Sequence, residues 1–158
     1  MDERSVREVL RRLLSWEDAH AGFEAAVEGV PAELRGRQPE GLPYSAWQLV
    51  DHLRITQHDI LDFCVNPNYK GIKWPDQYWP KEPAPPSADA WDASIRRFQE
   101  DRSALQRLAA DPSIDLTARI PHGQGQTYLR ELVLVADHTS YHVGQLILVR
   151  RLLGIWKP

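Results

Sequence analysis

Val135-Ala136-Asp137-His138-Thr139-Ser140-Tyr141-His142-Val143-Gly144-Gln145-Leu146 is the stretch on which the reading of this chain turns. It lies inside a segment expected to be helical from about Thr127 to about Leu153. Gly154 suits the left-handed position just past a helix end, with Ile155 folding back as its apolar partner. On a helix, residues i and i+4 lie one above the other, about 5–6 Å apart at Cβ. His138 and His142 can therefore converge on one metal ion at about 2.0–2.1 Å. A single His-x-x-x-His pair is a weak signal, and ordinary surface or core histidines produce it too. The zinc-peptidase motif places Glu directly after the first His as general base. Thr139 holds that position here, so the stretch contains no peptidase base.

Three further helices are expected upstream. The second opens at Ser45, where Ser45-Ala46-Trp47-Gln48 has the form of a capping box. It runs to about Val65, where Asn66-Pro67 stops it, with Leu49, Val50, Leu53, Ile60, Leu61 and Phe63 facing the core. The third runs from Ser87 to about Ala110 on a stripe of Trp91, Ile95, Phe98, Leu105 and Leu108, and Asp111-Pro112 closes it. The first covers residues of roughly 3 to 29, because Val6, Val9, Leu10, Leu13, Leu14, Phe23, Val27 and Val30 recur at helical spacing. Asp2 caps it and Pro31 ends it. Its arginines Arg4, Arg7, Arg11 and Arg12 alternate with acids and read as a solvated face. Residues 36–43 form a Gly- and Pro-containing linker. Six of the twelve prolines fall within residues 67–86, among Tyr69, Trp74, Tyr78 and Trp79. Proline blocks helix there, and the aromatics predict an ordered loop packed on the domain. The fold class expected is all-α: one domain over 1–158, a four-helix bundle with long loops between helices two and three and between helices three and four.

Composition narrows the function classes. At 158 residues, 42% apolar and 26% charged, the chain can bury a core without staples and is not a disordered one. A net charge of −3 argues against nucleic acid as a partner, which wants a basic footprint. The single cysteine, Cys64, excludes a disulfide framework and a Cys-rich zinc module. No apolar run approaches the ~20 residues of a bilayer span, so no membrane partner is expected. Met1-Asp2-Glu3-Arg4 carries both charges, unlike a secretory or transit segment, and the compartment expected is the cytoplasm.

His52 is the third candidate ligand, set between the core residues Val50 and Leu53. His52, Thr56 and Asp59 share one helical stripe. By itself, a histidine placed like His52 is more often a satisfied core or boundary residue than a ligand. Asp59 is a candidate to orient a ligand or a metal water, and an exposed acid is the alternative. Tyr141 and Gln145 flank the histidine pair, and either can hydrogen-bond a species at the metal. Asp51 and Asp137 each precede a candidate ligand but point about 100° away from it on the helix. His122 reads as a solvated loop residue within reach of a pocket mouth. Glu17, His20 and Glu24 share a face that can form a second metal patch or a solvated surface. His58 should point elsewhere. Cys64 reads as a small buried residue, and Trp74 and Trp79 as pocket or dimer contacts.

Tyr44-Ser45-Ala46-Trp47-Gln48-Leu49-Val50-Asp51-His52-Leu53 resembles the second-helix motif of the DinB-like (DinB/YfiT) superfamily. The stretch quoted at the outset resembles its last-helix motif, and Gly125-Gln126-Thr127 ahead of it agrees as well. The resemblance covers nearly the whole chain. It implies a four-helix bundle with one divalent metal on His52, His138 and His142, with remaining positions open to water or ligand. It implies a homodimer. Two branches of the family use low-molecular-weight thiols, bacillithiol in transferases and mycothiol in a maleylpyruvate isomerase. On this reading the protein is a metal-dependent enzyme, a thiol transferase or a hydrolase, acting on a small electrophilic substrate. The other reading is a non-catalytic metal- or small-ligand-binding module or sensor. Zinc or nickel is the metal expected first and iron next, since imidazole suits them all.

Overall fold

Signals at the helix ends set where the elements begin and stop. In the computed structural model, which describes residues 2–15 and 18–157, there are five α-helices and no strand among those residues. Helix α1 is Glu3–Leu13, α2 is Phe23–Val27, α3 is Ala46–Val65, α4 is Ala90–Ala110 and α5 is Tyr128–Leu152. The Asp2 carboxylate caps α1 by accepting from Ser5 N–H at 2.9 Å. The capping box of α3 is formed in both directions between Ser45 and Gln48. Thr127 caps α5 through Arg130 N–H. Gly154, with φ +71°, ends α5 while Ile155 N–H returns to the Arg150 carbonyl at 2.9 Å, so the chain reverses without losing those acceptors.

The single first helix expected over 3–29 is not formed. The chain is helical over α1, turns through residues 18–22, and resumes as the short α2. The large aliphatic residues at helical spacing stop at Leu14 and resume only with Phe23 and Val27, and Gly22 falls just before the restart. His20 sits in that turn, and Ser140 Oγ of α5 donates to its Nε2 at 2.9 Å. Val9 is exposed rather than in the core. Arg7 does not lie on a solvated face either. It is buried, and its guanidinium donates to the carbonyl of Ala109 in the last turn of α4 and to those of Asp111 and Ile114 just beyond it. At the start of α4 the cap position is Asp89 rather than Ser87.

The elements meet around two apolar clusters. One joins Phe23 of α2, Leu49 and Leu53 of α3, Trp91 and Phe98 of α4, and Leu146 of α5. The other joins Leu10 of α1, Leu105 of α4 and Leu132 of α5 with Ile120 of the preceding loop. Each such side chain contributes roughly 1.5–3 kcal/mol on burial. Helix α3 packs on both α4 and α5, which places its middle turns where a side chain can meet α5. By length and mean hydropathy of 1.2, α5 passes as a membrane span, a qualification to the expectation that no segment comes near. Here its apolar residues Leu132, Val135, Val143, Leu146 and Val149 lie in the two clusters.

The proline-rich segment between α3 and α4 is ordered and held down by polar contacts to the start of α3. Ser45 Oγ donates to the Pro83 carbonyl at 2.5 Å, and Gln48 Nε2 to the Pro80 carbonyl at 3.2 Å. Gly36 lets the earlier linker approach the same segment. A Cβ added at Gly36 falls 2.6 Å from Ala84 Cβ and 2.7 Å from its Cα. These contacts fix the loop that crosses the mouth of the histidine cluster.

Candidate metal centre

His52 sits in the second turn of α3, and His138 and His142 sit one turn apart on α5. Because α3 and α5 pack together, the three rings meet. His52 Nε2 lies 3.1 Å from His138 Nε2 and 3.2 Å from His142 Nε2. The three side chains each offer one ligand atom, all within 4.8 Å of one another. Nitrogens bound tetrahedrally at about 2.0–2.1 Å stand roughly 3.3–3.4 Å apart, close to the spacing seen.

The second nitrogen of each ring tests whether these donors suit a cation. His52 Nδ1–H donates to the Tyr78 carbonyl at 2.8 Å. His142 Nδ1–H donates to Gln145 Oε1 at 2.7 Å. The Thr56 hydroxyl gives its proton to the His52 carbonyl at 2.8 Å, so only its lone pairs face His138 Nδ1, at 3.4 Å. With the protons on Nδ1, the Nε2 atoms present lone pairs to one another. Three such lone pairs repel unless a cation lies between them, and this is the donor set that a divalent ion takes.

Burial favours the neutral imidazoles that ligation needs. It pushes His52 down to about 4 and His138 down to about 3, and it lowers His142. Trp79 covers His52, with ring centroids 3.7 Å apart and planes within 7°. Tyr141 meets His142 edge-on at 4.9 Å, and its own ring is exposed.

A comparison with known protein families matches residues 15–146 to the DinB superfamily. The chain belongs to the DinB superfamily. The match spans both the His52 motif and the His138–His142 motif of this DinB chain, whose three histidines can hold a metal ion. Comparison with curated proteins and with solved structures returns no match.

Beside the histidines of this DinB-superfamily chain lies a cavity of about 540 Å³. His138 and Thr56 form one part of its wall, and Phe63, Tyr69, Trp74 and Tyr78 supply aromatic sides. Asp59 lines it too, accepting from Tyr69 Oη at 2.9 Å and Tyr78 Oη at 2.6 Å. His122 also lines it, its Nε2–H donating to the Phe63 carbonyl at 2.7 Å. A second cavity, of about 440 Å³, lies on the far face of α5 against Phe23, Ala136 and Val143 and contains none of the three histidines.

The remaining sequence candidates separate from the cluster. Asp51 ties α3 to α4, accepting from Arg54 Nε and Ser94 Oγ. Asp137 is exposed. His58 faces Asp101 at 3.0 Å. Glu24 pairs with Arg102 of α4 and His20 with Ser140, both in the wall of the second cavity, and Glu17 lies outside the described residues. Burial pushes the buried Cys64 thiol up to about 12, which keeps it protonated. The Tyr78 carbonyl was not legible as a site feature, and Trp79 was read as a pocket or dimer contact without its place on His52. The only signal was the density of aromatics in the proline-rich loop.

Proposed function

We propose that this DinB chain binds one divalent metal ion through His52, His138 and His142 and works as a metal-dependent enzyme, a thiol S-transferase or hydrolase. The observation that carries this reading is the meeting of three Nε2 lone pairs. An ion held by neutral imidazoles keeps its full charge and lowers the pKa of a water or thiol at an open position. The chain's own residues do the rest. The Tyr78 carbonyl and Gln145 Oε1 hold the tautomers of His52 and His142. The cavity beside His138 has the size of a small-molecule site, and its aromatic walls suit the apolar body of a small electrophile. Zinc or nickel fits the three imidazoles, as does iron, and a low-molecular-weight thiol is the co-substrate in the transferase form.

The same reading takes 1–158 as one four-helix-bundle domain, with α1 and α2 together in place of the first helix. Tyr141, Leu148 and Leu152 share one exposed face of α5, which supports a homodimer. One observation favours the second reading, a binding module or sensor. The Asp59 carboxylate, an acid in the cavity wall, is already engaged by two tyrosine hydroxyls and is not a free base.

Elemental analysis of protein purified without a nickel column tests the metal. About one ion per chain is expected in the wild type, with loss in His52→Ala and His138→Ala. No metal in any sample, and none taken up from added zinc or nickel, would remove the mechanism. A screen of thiols with electrophiles, and of activated esters, then separates the two readings. Metal-dependent turnover lost in His142→Ala supports the enzyme; no turnover supports the binder.

A further inference from the structure

The loop between α3 and α4 touches His52 through two consecutive residues, Tyr78 and Trp79. The backbone carbonyl of Tyr78 accepts the Nδ1–H of His52, and Trp79 lies flat on the same imidazole. Within the loop, Lys73 N–H donates to Gln77 Oε1, Lys73 pairs with Asp76, and Trp74 meets the Tyr78 ring edge-on. The loop's local backbone bonds are those of Gln77 N–H to Lys73 and Tyr78 N–H to Pro75. The Tyr78 hydroxyl ties this residue to α3 by donating to Asp59 Oδ2 at 2.6 Å, alongside the bond from Gln48 to the Pro80 carbonyl two residues on. Asp59 stands seven residues after His52 on the same helix, so the contacts close a ring: His52, the α3 backbone, Asp59, Tyr78 and back to His52.

We propose that Asp59 and Tyr78 are positioning residues for His52: the carboxylate holds the Tyr78 hydroxyl, and the carbonyl of that same residue holds the His52 tautomer and tilt. The inference rests on the metal reading above for its consequence, which is metal affinity. Partners of this kind typically change metal affinity by about 10–100-fold when lost. Tyr69 provides an internal control. Its hydroxyl donates to the same carboxylate at 2.9 Å in the same cavity, but its backbone N–H is bonded to Asn66 and it makes no contact with His52.

The test measures zinc affinity of the full-length chain by competition with a chelating dye, for wild type, Asp59→Asn, Tyr78→Phe and Tyr69→Phe, with thermal midpoints recorded alongside. Asp59→Asn and Tyr78→Phe should each bind zinc about 10–100-fold more weakly, and Tyr69→Phe within about twofold of wild type. The double variant Asp59→Asn/Tyr78→Phe should be no weaker than either single one, because both act through one chain of contacts. A purely structural role would lower the midpoints of the two tyrosine variants without separating their zinc affinities. Equal zinc affinities for Tyr78→Phe and Tyr69→Phe would overturn the proposal. A second readout needs no metal: the ¹⁵N shifts of the His52 ring in metal-free protein. A single Nδ1–H tautomer is expected in wild type and Tyr69→Phe, and tautomer mixing in the other two. One tautomer in all four overturns the positioning role, whereas failure of the metal reading shows as a wild type that takes no zinc.

Discussion

The imidazole of His52 and the indole of Trp79 are stacked, with ring centroids 3.7 Å apart and planes within 7° of parallel. The same indole meets His142 edge-on at 5.7 Å. One side chain from the proline-rich loop therefore covers one candidate ligand and borders another. An indole face is electron-rich, so it favours a ring that takes on positive charge from a bound cation.

Trp79→Ala should lose both the cover and the stack. Trp79 is half-buried, so the expected loss is about 1–3 kcal/mol, below that for a fully buried tryptophan. Urea unfolding of metal-free protein reads this part. Zinc affinity should fall as well, and Trp79→Phe should recover part of it. Unchanged zinc affinity in Trp79→Ala would show that the stack is only packing.

Gln145→Leu removes the acceptor for His142 Nδ1–H while keeping a similar volume on α5. The freed imidazole can take the other tautomer and turn its lone pair away from the cluster. Zinc binding should weaken by about 10–100-fold with a small change in stability. A variant that binds zinc like wild type contradicts the orienting role of Gln145.

Acid should unfold the metal-free protein earlier than an ordinary histidine content would suggest. In the unfolded chain these imidazoles take up protons near pH 6.5, whereas in the folded chain His52 does so at about 4 and His138 at about 3. Between these values the unfolded state binds more protons, so stability rises with pH across that window. It is fully present above about pH 6.5 and is lost as pH falls through the window. The urea midpoint, measured in chelator, should hold level above about pH 6.5 and drop from there to about pH 4, and the slope should be shallower in His138→Gln. A midpoint that stays level over that range counts against buried, neutral histidines.

Gly36→Ala should disturb the site from a distance. The added Cβ meets the backbone and Cβ of Ala84, and neither can swing aside as a long side chain can. The expected cost is about 1–3 kcal/mol. Ala84→Gly in the same chain should restore part of it. Zinc affinity should fall with the shift, because Ala84 belongs to the loop that carries Tyr78 and Trp79.

The parts of the fold set by short-range chemistry were legible. The Ser45–Gln48 capping box, the Asp2 cap and the Gly154 stop each depend on residues within a few positions of one another. The break in the first helix was not, because Val6 to Val30 keep helical spacing in two blocks, and the turn through residues 18–22 between them is decided by tertiary contacts such as that of His20 with Ser140. Arg7 was misread as solvated for a related reason. Its carbonyl partners at Ala109, Asp111 and Ile114 lie about a hundred residues away.

The sequence by itself determined the all-helical class and, through helical period, the His138–His142 pair, while His52 joined them only through the resemblance of its motif to the DinB-like second helix. Only the tertiary structure decided how they are held. The packing of α3 on α5 brings together Nε2 atoms separated by 86 and 90 residues of chain. The loop then supplies a carbonyl to His52 from 26 residues away. A backbone carbonyl has no residue-type signature, and a stacked ring shows its role only once its neighbour is known. The sequence therefore named the donors, and through-space contacts alone fixed their tautomers and their aim.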